Sequence, residues 1–231
     1  MASLTSLVAR HGNVLLIDSA SAVVQAGLWR REGGPIWQQS DKEAGIAIFA
    51  CTAAVLADAG LGVTDLGCLV FCEGPGSILG IRTAAMALRT WRTREPPGPP
   101  AYAYRSLELV AQDLRSSKSA RPFAVVADAR RDAWHWVEVA DGTALGSLRR
   151  VPRSALAEFG GARFMPDGFR VWSPPPGTVS AVPYSLAALW GRQRDADLLR
   201  PAPEPDAFLH EDAVYVPWTP RIHRAPRRSA R

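Results

Sequence analysis

The chain has 231 residues, 47% of them hydrophobic and 21% charged, with a formal net charge of +5. That composition is globular and excludes collagen-like, low-complexity and disulfide-stapled classes. No run of about eighteen apolar residues occurs, because Asp18 and Gln25 break the best candidate, and residues 1 to 12 lack a basic start followed by an apolar block. With three cysteines in no paired spacing, the expectation is a soluble, cytoplasmic protein without a membrane span.

Val14 to Ile17 read as a short strand ending in Asp18. Ser19, Ala20 and Ser21 then form a polar turn before apolar residues resume at Ala22, so a hairpin with an acid at its tip is expected. A third strand covers residues 36 to 39 after the Gly33-Gly34-Pro35 turn, which places three strands in series ahead of any helix. Ser40 or Asp41 is the expected cap of the first helix, whose apolar side is Ile46, Phe49, Ala50, Ala53, Leu56 and Ala57, and Gly60 stops it.

Residues 66 to 72 form an apolar run barely interrupted by polar groups, as a strand buried on both faces does, with Cys68 and Cys72 as small core residues. Gly74-Pro75-Gly76 breaks that run, Ser77 is placed to cap a helix, and Ile78, Ile81, Ala85, Leu88 and Trp91 give the helix one apolar stripe. A strand, a glycine turn and a helix start are compatible with phosphate binding or with a purely structural turn. A Walker A loop is excluded, since Ile81 and Arg82 follow Gly80 and the only lysines are Lys42 and Lys118. Prolines at 96, 97, 99 and 100 lead into a strand at 101 to 104, and Ser106 is expected to cap a helix reaching about Leu114.

This strand, strand, strand, helix, strand, helix, strand order resembles the ribonuclease H-like unit of actin, sugar kinases and Hsp70. It predicts an α/β fold of two such subdomains. The first, at 1–105, carries a helix docking face, a smaller divergent one occupies 106–220, and a basic tail follows at 221–231. In the second half, residues 123 to 127 make a buried strand ending at Asp128, and Arg130, Arg131 and Asp132 form a charged turn. Residues 133 to 139 alternate, with Trp134, Trp136 and Glu138 on one face and His135, Val137 and Val139 on the other. Asp141-Gly142 signals a hairpin, residues 145 to 151 a strand, 154 to 159 and 185 to 193 helices, and the proline clusters at 174 to 176 and 201 to 205 loops. The tail, with Arg221, Arg224, Arg227, Arg228 and Arg231, reads either as a contact for RNA phosphates or as a solvated end.

Three motifs, LLIDSAS near the start, CEGPGSILGIR after the central strand and ADARRDAW in the second half, together resemble the TsaB family, also called YeaZ. Its members are bacterial partners in making threonylcarbamoyladenosine in tRNA. The resemblance spans roughly residues 13 to 139. Ile78 and Leu79 stand where the family carries phenylalanine and threonine, and Val214, Tyr215 and Val216 only echo its closing tyrosine-leucine-arginine.

The resemblance implies a noncatalytic scaffold for a TsaD-like catalytic subunit in tRNA N6-threonylcarbamoyladenosine formation. A TsaE-like ATPase assists, tRNA and ATP belong to the complex, and this chain holds no cofactor of its own. The implied interface is Ala50, Ala53 and Ala57 of the first helix with Gly74, Pro75, Gly76, Ser77, Ile78, Arg82 and Ala85, and a homodimer through the same helices is the competing assembly. TsaD-like proteins hold a metal through paired histidines, whereas His11, His135, His210 and His223 are not so spaced, so no metal site is expected. The alternative is an ATP-dependent phosphotransferase or ATPase of the actin and sugar kinase fold. There Asp18 and Ser19 would sit near a magnesium-bound phosphate, with Asp128 as base or metal anchor across a cleft.

Overall fold

The fold was obtained as a computed structural model, and residues 1–93, 98–117, 122–140 and 144–210 are described. A helix, α1 (Leu4–His11), precedes the first strand, which corrects the expectation of three strands before any helix. Ser3 and Ser6 close a reciprocal capping box, and only Leu4 and Leu7 are buried from this helix. Two leucines in eight residues are too faint a periodic signal to have been counted.

The first sheet is built on β1 (Val14–Asp18), every residue of which is buried. It pairs antiparallel with β2 (Val24–Trp29), which continues to β3 (Ile36–Ser40), and parallel with β4 (Cys68–Gly74). Beyond β4 lies β5 (Ala101–Arg105), again parallel. Two helices return the chain across this sheet. One is α2 (Ala44–Ala59), against β2 and β3, and the other is α3 (Ile78–Arg92), against β1, β4 and α2. The cap of α2 is Glu43, whose carboxylate accepts the Gly45 amide at 3.0 Å, in place of the expected Ser40 or Asp41. Gly60 ends α2 in the left-handed region, as read from the sequence.

The helix α4 (Ser106–Ser117) leaves β5 and packs on β4 and β5 on one side and on β6 (Phe123–Asp128) and β7 (Ala133–Ala140) on the other. Ser106 is no cap: its hydroxyl donates to the Pro75 carbonyl at 2.7 Å. The second sheet has β6 antiparallel to β7, while β10 (Ala162–Pro166) and β11 (Ser180–Val182) extend it in parallel from the other edge of β6. The strand expected at 145 to 151 is two short pieces, β8 (Ala144–Leu145) and β9 (Arg149–Pro152), both on β7. The helices α5 (Arg153–Glu158) and α6 (Leu186–Gln193) follow at the expected places. Finally β12 (Arg200–Pro201), inside a stretch expected to be loop, pairs with β5, so the chain returns to the first sheet.

Alternation in β7 sorts its side chains into two cores, as its sequence predicts. Val137 and Val139 join the main cluster, and Trp134 and Trp136 pack with Ala124, Val126 and Leu156 in a smaller one. The hairpin at Asp141-Gly142, the echo at 214 to 216 and the basic tail at 221–231 lie outside the described residues.

Candidate functional site

The turn after β1 carries the first motif, and its acid is not where an enzyme reading requires it. Asp18 is 0% exposed. One carboxylate oxygen accepts the Ala20 amide at 2.8 Å; the other accepts the hydroxyls of Tyr104 at 2.5 Å and Tyr184 at 2.6 Å. Burial raises the Asp18 pKa, while the two tyrosine hydroxyls and the Ala20 amide pull it down. Both tyrosines are pushed well above their ordinary range, chiefly by burial, and remain donors. Asp18 and Ser19 are both buried, at 0% and 2% exposure, which weighs against their expected place beside a nucleotide.

That turn instead holds up the second motif. The Ser77 amide donates to the Ala20 carbonyl at 2.8 Å, and Gly76, at φ 155°, leaves no room for a side chain: a Cβ there would lie 2.4 Å from the same oxygen. Gly80 is pressed just as closely on the Ser19 carbonyl, 2.5 Å from where its Cβ would stand. The Ser77 hydroxyl accepts the Gly80 amide at 3.4 Å, the cap read from the sequence. Gly74 and Pro75 are buried, whereas Ile78 and Leu79 are exposed.

On α2 the stripe read as an apolar side points outward, apart from Leu56. Ala47, Ile48, Cys51, Val55 and Leu56 face the core, while Ile46 (59% exposed), Phe49 (49%), Ala50, Ala53 and Ala57 face solvent. The two apolar arcs together make this helix hydrophobic all round. Next to it α3 exposes Met86 and Arg82, and Phe49 meets Trp91 edge to face at 6.1 Å. Ala85 belongs to the core at 1% exposure, so its expected place in an interface is corrected. Arg82 lies on the surface 3.8 Å from Asp206 of its own chain, a loose exposed pair of little energetic weight.

The third motif meets the second across the two sheets. Gly76, Ser77 and Ile78 line a cavity of about 310 Å³ with Asp128, Arg130, His135, Arg170 and Trp172. Asp128 makes no ion pair with the Arg130 guanidinium. One of its oxygens takes the Arg130 backbone amide at 2.6 Å and the other the amides of Trp172 and Ser173 at 2.7 and 2.9 Å. Each is an acceptor already engaged, which argues against the base or metal-anchor role expected of Asp128.

His135 Nδ1 stands 3.0 Å from His210 Nε2, a pairing that their separation in sequence concealed. Burial, then the nearby His210 and Arg150, lower the His135 pKa to about 4. Among the described residues no group of three His, Cys, Asp or Glu is arranged to hold a metal ion. None of Trp172, Tyr184 or His210 was singled out as a functional candidate from the sequence. An isolated tryptophan beside a proline cluster was the one signal that could have been read.

Two sheets, each an antiparallel hairpin continued by parallel strands and bridged through α4, define the ribonuclease H-like class of actin and the sugar kinases. The model of the family described as TsaD, tRNA N6-adenosine threonylcarbamoyltransferase, matches residues 19–160, more than half of the sequence, and the chain belongs to that family. A curated relative, the uncharacterized protein ML0378 of Mycobacterium leprae (strain TN), is 29% identical over 215 residues, covering 83% of this chain and 58% of its own. The chain thus spans little more than half the length of that relative.

Among solved structures, YeaZ from Pseudomonas aeruginosa aligns with a TM-score of 0.61 at 20% identity, over 86% of this chain and 99% of that one. A second, an uncharacterized protein with similarity to peptidase YeaZ from Pseudomonas aeruginosa, gives 0.57 at 20% identity, over 81% and 97%. The shared fold agrees with the TsaB resemblance carried by the three motifs. Among the described residues no helix is long and apolar enough to cross a membrane.

Proposed function

We propose that the chain is a noncatalytic scaffold that docks a TsaD-like catalytic subunit during formation of N6-threonylcarbamoyladenosine in tRNA, with a TsaE-like ATPase and ATP acting in the assembled complex. The carrying observation is the outward face of α2, where Ile46 and Phe49 stand exposed beside the small Ala50, Ala53 and Ala57, flanked by Met86 of α3. An apolar helical face of this kind, with alanines that permit close approach, suits packing against a second helix pair. Gly74 to Ser77 set the start of α3 and so the angle at which the pair is presented. In this reading residues 1–105 carry the docking face and 106–220 complete the body.

The enclosure of Asp18 and the engaged oxygens of Asp128 favour this reading over a phosphotransferase. Capture of the purified TsaD-like subunit by the tagged full chain tests it. Ala53→Trp should reduce capture at least tenfold while the circular dichroism spectrum is unchanged. Unaltered capture would sink the proposed face. A dimer of the chain alone that Ala53→Trp dissolves, with capture intact, would transfer the face to homodimerisation.

A further inference from the structure

The turn between β6 and β7 holds Arg130, Arg131 and Asp132 in succession at φ 61°, 51° and 54°, all in the left-handed region and none of them glycine. Each such residue is uphill by about 1–2 kcal/mol, so the run persists because bonds around it fix the backbone. Asp128 takes the Arg130 amide, and the Ala133 amide donates to the Arg130 carbonyl at 3.1 Å. With its second oxygen Asp128 draws in the loop of Trp172, so that the Arg130 guanidinium lies 4.3 Å above the indole. Trp172 is nevertheless 53% exposed, an unusual place for the largest apolar side chain.

Two adjoining cavities share Arg130, His135, Gly76 and Ile78. One, of about 350 Å³, adds Arg131 and Arg150; the other, of about 310 Å³, adds Arg170 and Trp172. Of the acids that line them, Glu73 is paired with Arg105 at 2.8 Å, and Asp128 keeps its charge while its oxygens accept three backbone amides. Arg130, Arg131 and Arg170 outnumber that one carboxylate, so the groove is net cationic, with an exposed indole set among the guanidinium groups. That combination complements a phosphate chain carrying unpaired bases, since guanidinium meets phosphate and an indole stacks on any base.

We infer that this groove binds a single-stranded segment of RNA, Arg130, Arg131 and Arg170 meeting its phosphates and Trp172 stacking on one base. That the RNA is tRNA rests on the function proposed above; the chemistry of the groove does not. Binding of an in vitro transcribed tRNA to the full chain, measured against salt, tests the assignment. Trp172→Ala should weaken binding at least about fivefold, the low end of one base stack, and Trp172→Phe should restore most of it. Arg131→Ala with Arg170→Ala should flatten the plot of log affinity against log salt by about 1.4, two single-strand phosphate contacts.

Arg131→Gly relieves a left-handed residue and should fold more stably than Arg131→Ala while losing the same phosphate contact, which separates misfolding from lost binding. Capture of the TsaD-like subunit, measured in parallel, should be unchanged in every variant. Failure of the wild-type chain to capture the subunit, with tRNA bound and its affinity still lowered by Trp172→Ala, would strike the scaffold reading alone. The groove assignment falls if tRNA does not bind, if these substitutions leave affinity and salt slope as they were, or if only removal of 221–231 abolishes binding. It falls equally if ATP binds in the groove and tRNA does not.

Discussion

His135 is a residue whose surroundings decide its protonation. Burial is the main cause of its lowered pKa, the neighbouring His210 and Arg150 add to it, and Asp128 opposes them. Unfolded, the ring titrates near 6.5; folded, near 4. The folded chain therefore binds fewer protons between those values, and the stabilisation tied to a neutral His135 is complete above about pH 6.5 and lost as pH falls toward 4. Urea unfolding of the wild type and of His135→Gln, compared across this window, should show the gap between them narrowing as the solution is acidified. A gap independent of pH would mean that the folded ring takes up its proton where the unfolded one does, and so is not buried against His210. The sequence showed the histidine and the alternation around it, but not its partner, which is 75 positions away.

At the scale of elements, α3 turns a general rule around. Glycine inside a helix normally destabilises it by about 1 kcal/mol relative to alanine, so Gly80→Ala ought to help. Here the added methyl would stand 2.5 Å from the Ser19 carbonyl, a backbone atom that cannot swing aside. Overpacking of that sort costs about 1–3 kcal/mol, so Gly80→Ala is expected to lower stability overall, by about 1 kcal/mol, as read from the midpoint of thermal or urea unfolding. A variant as stable as wild type would mean that α3 can slide away from the first turn.

Elements with strong local signals were legible from the sequence: the apolar run of β4, the Ser77 cap, the Gly60 stop and the alternation of β7. Those with weak ones were not, namely α1, the three-residue β11 and the two-residue β12, whose existence depends on neighbours that only the fold supplies. The orientation of α2 was misread for a related reason. A helix apolar on every side leaves no polar arc to mark which stripe turns inward.

For the whole molecule, the decisive bonds are those that cross from the first sheet to the segment entering α6. Asp18 takes the Tyr184 hydroxyl, the Gln25 amide nitrogen donates to the Tyr184 carbonyl at 3.0 Å, and the Leu186 amide donates to the Gln25 side-chain oxygen at 2.9 Å. All three bonds are buried. Tyr184→Phe removes one bond to a buried acid and should lower unfolding free energy by about 1.5–3 kcal/mol, with an unchanged denaturant slope because both halves still melt together. A second transition in the variant would show that the halves are independent. The motif LLIDSAS was visible from the start. Its use as an anchor was not, because a tyrosine more than a hundred and fifty positions downstream carries no mark of its destination.

Two-lobed enzymes commonly work by swinging their lobes together over a substrate, a motion that needs a joint free to bend. Three concealed bonds beside the joint oppose such a swing, and under the scaffold reading proposed above they would hold the docking surface to one shape before and after another molecule arrives.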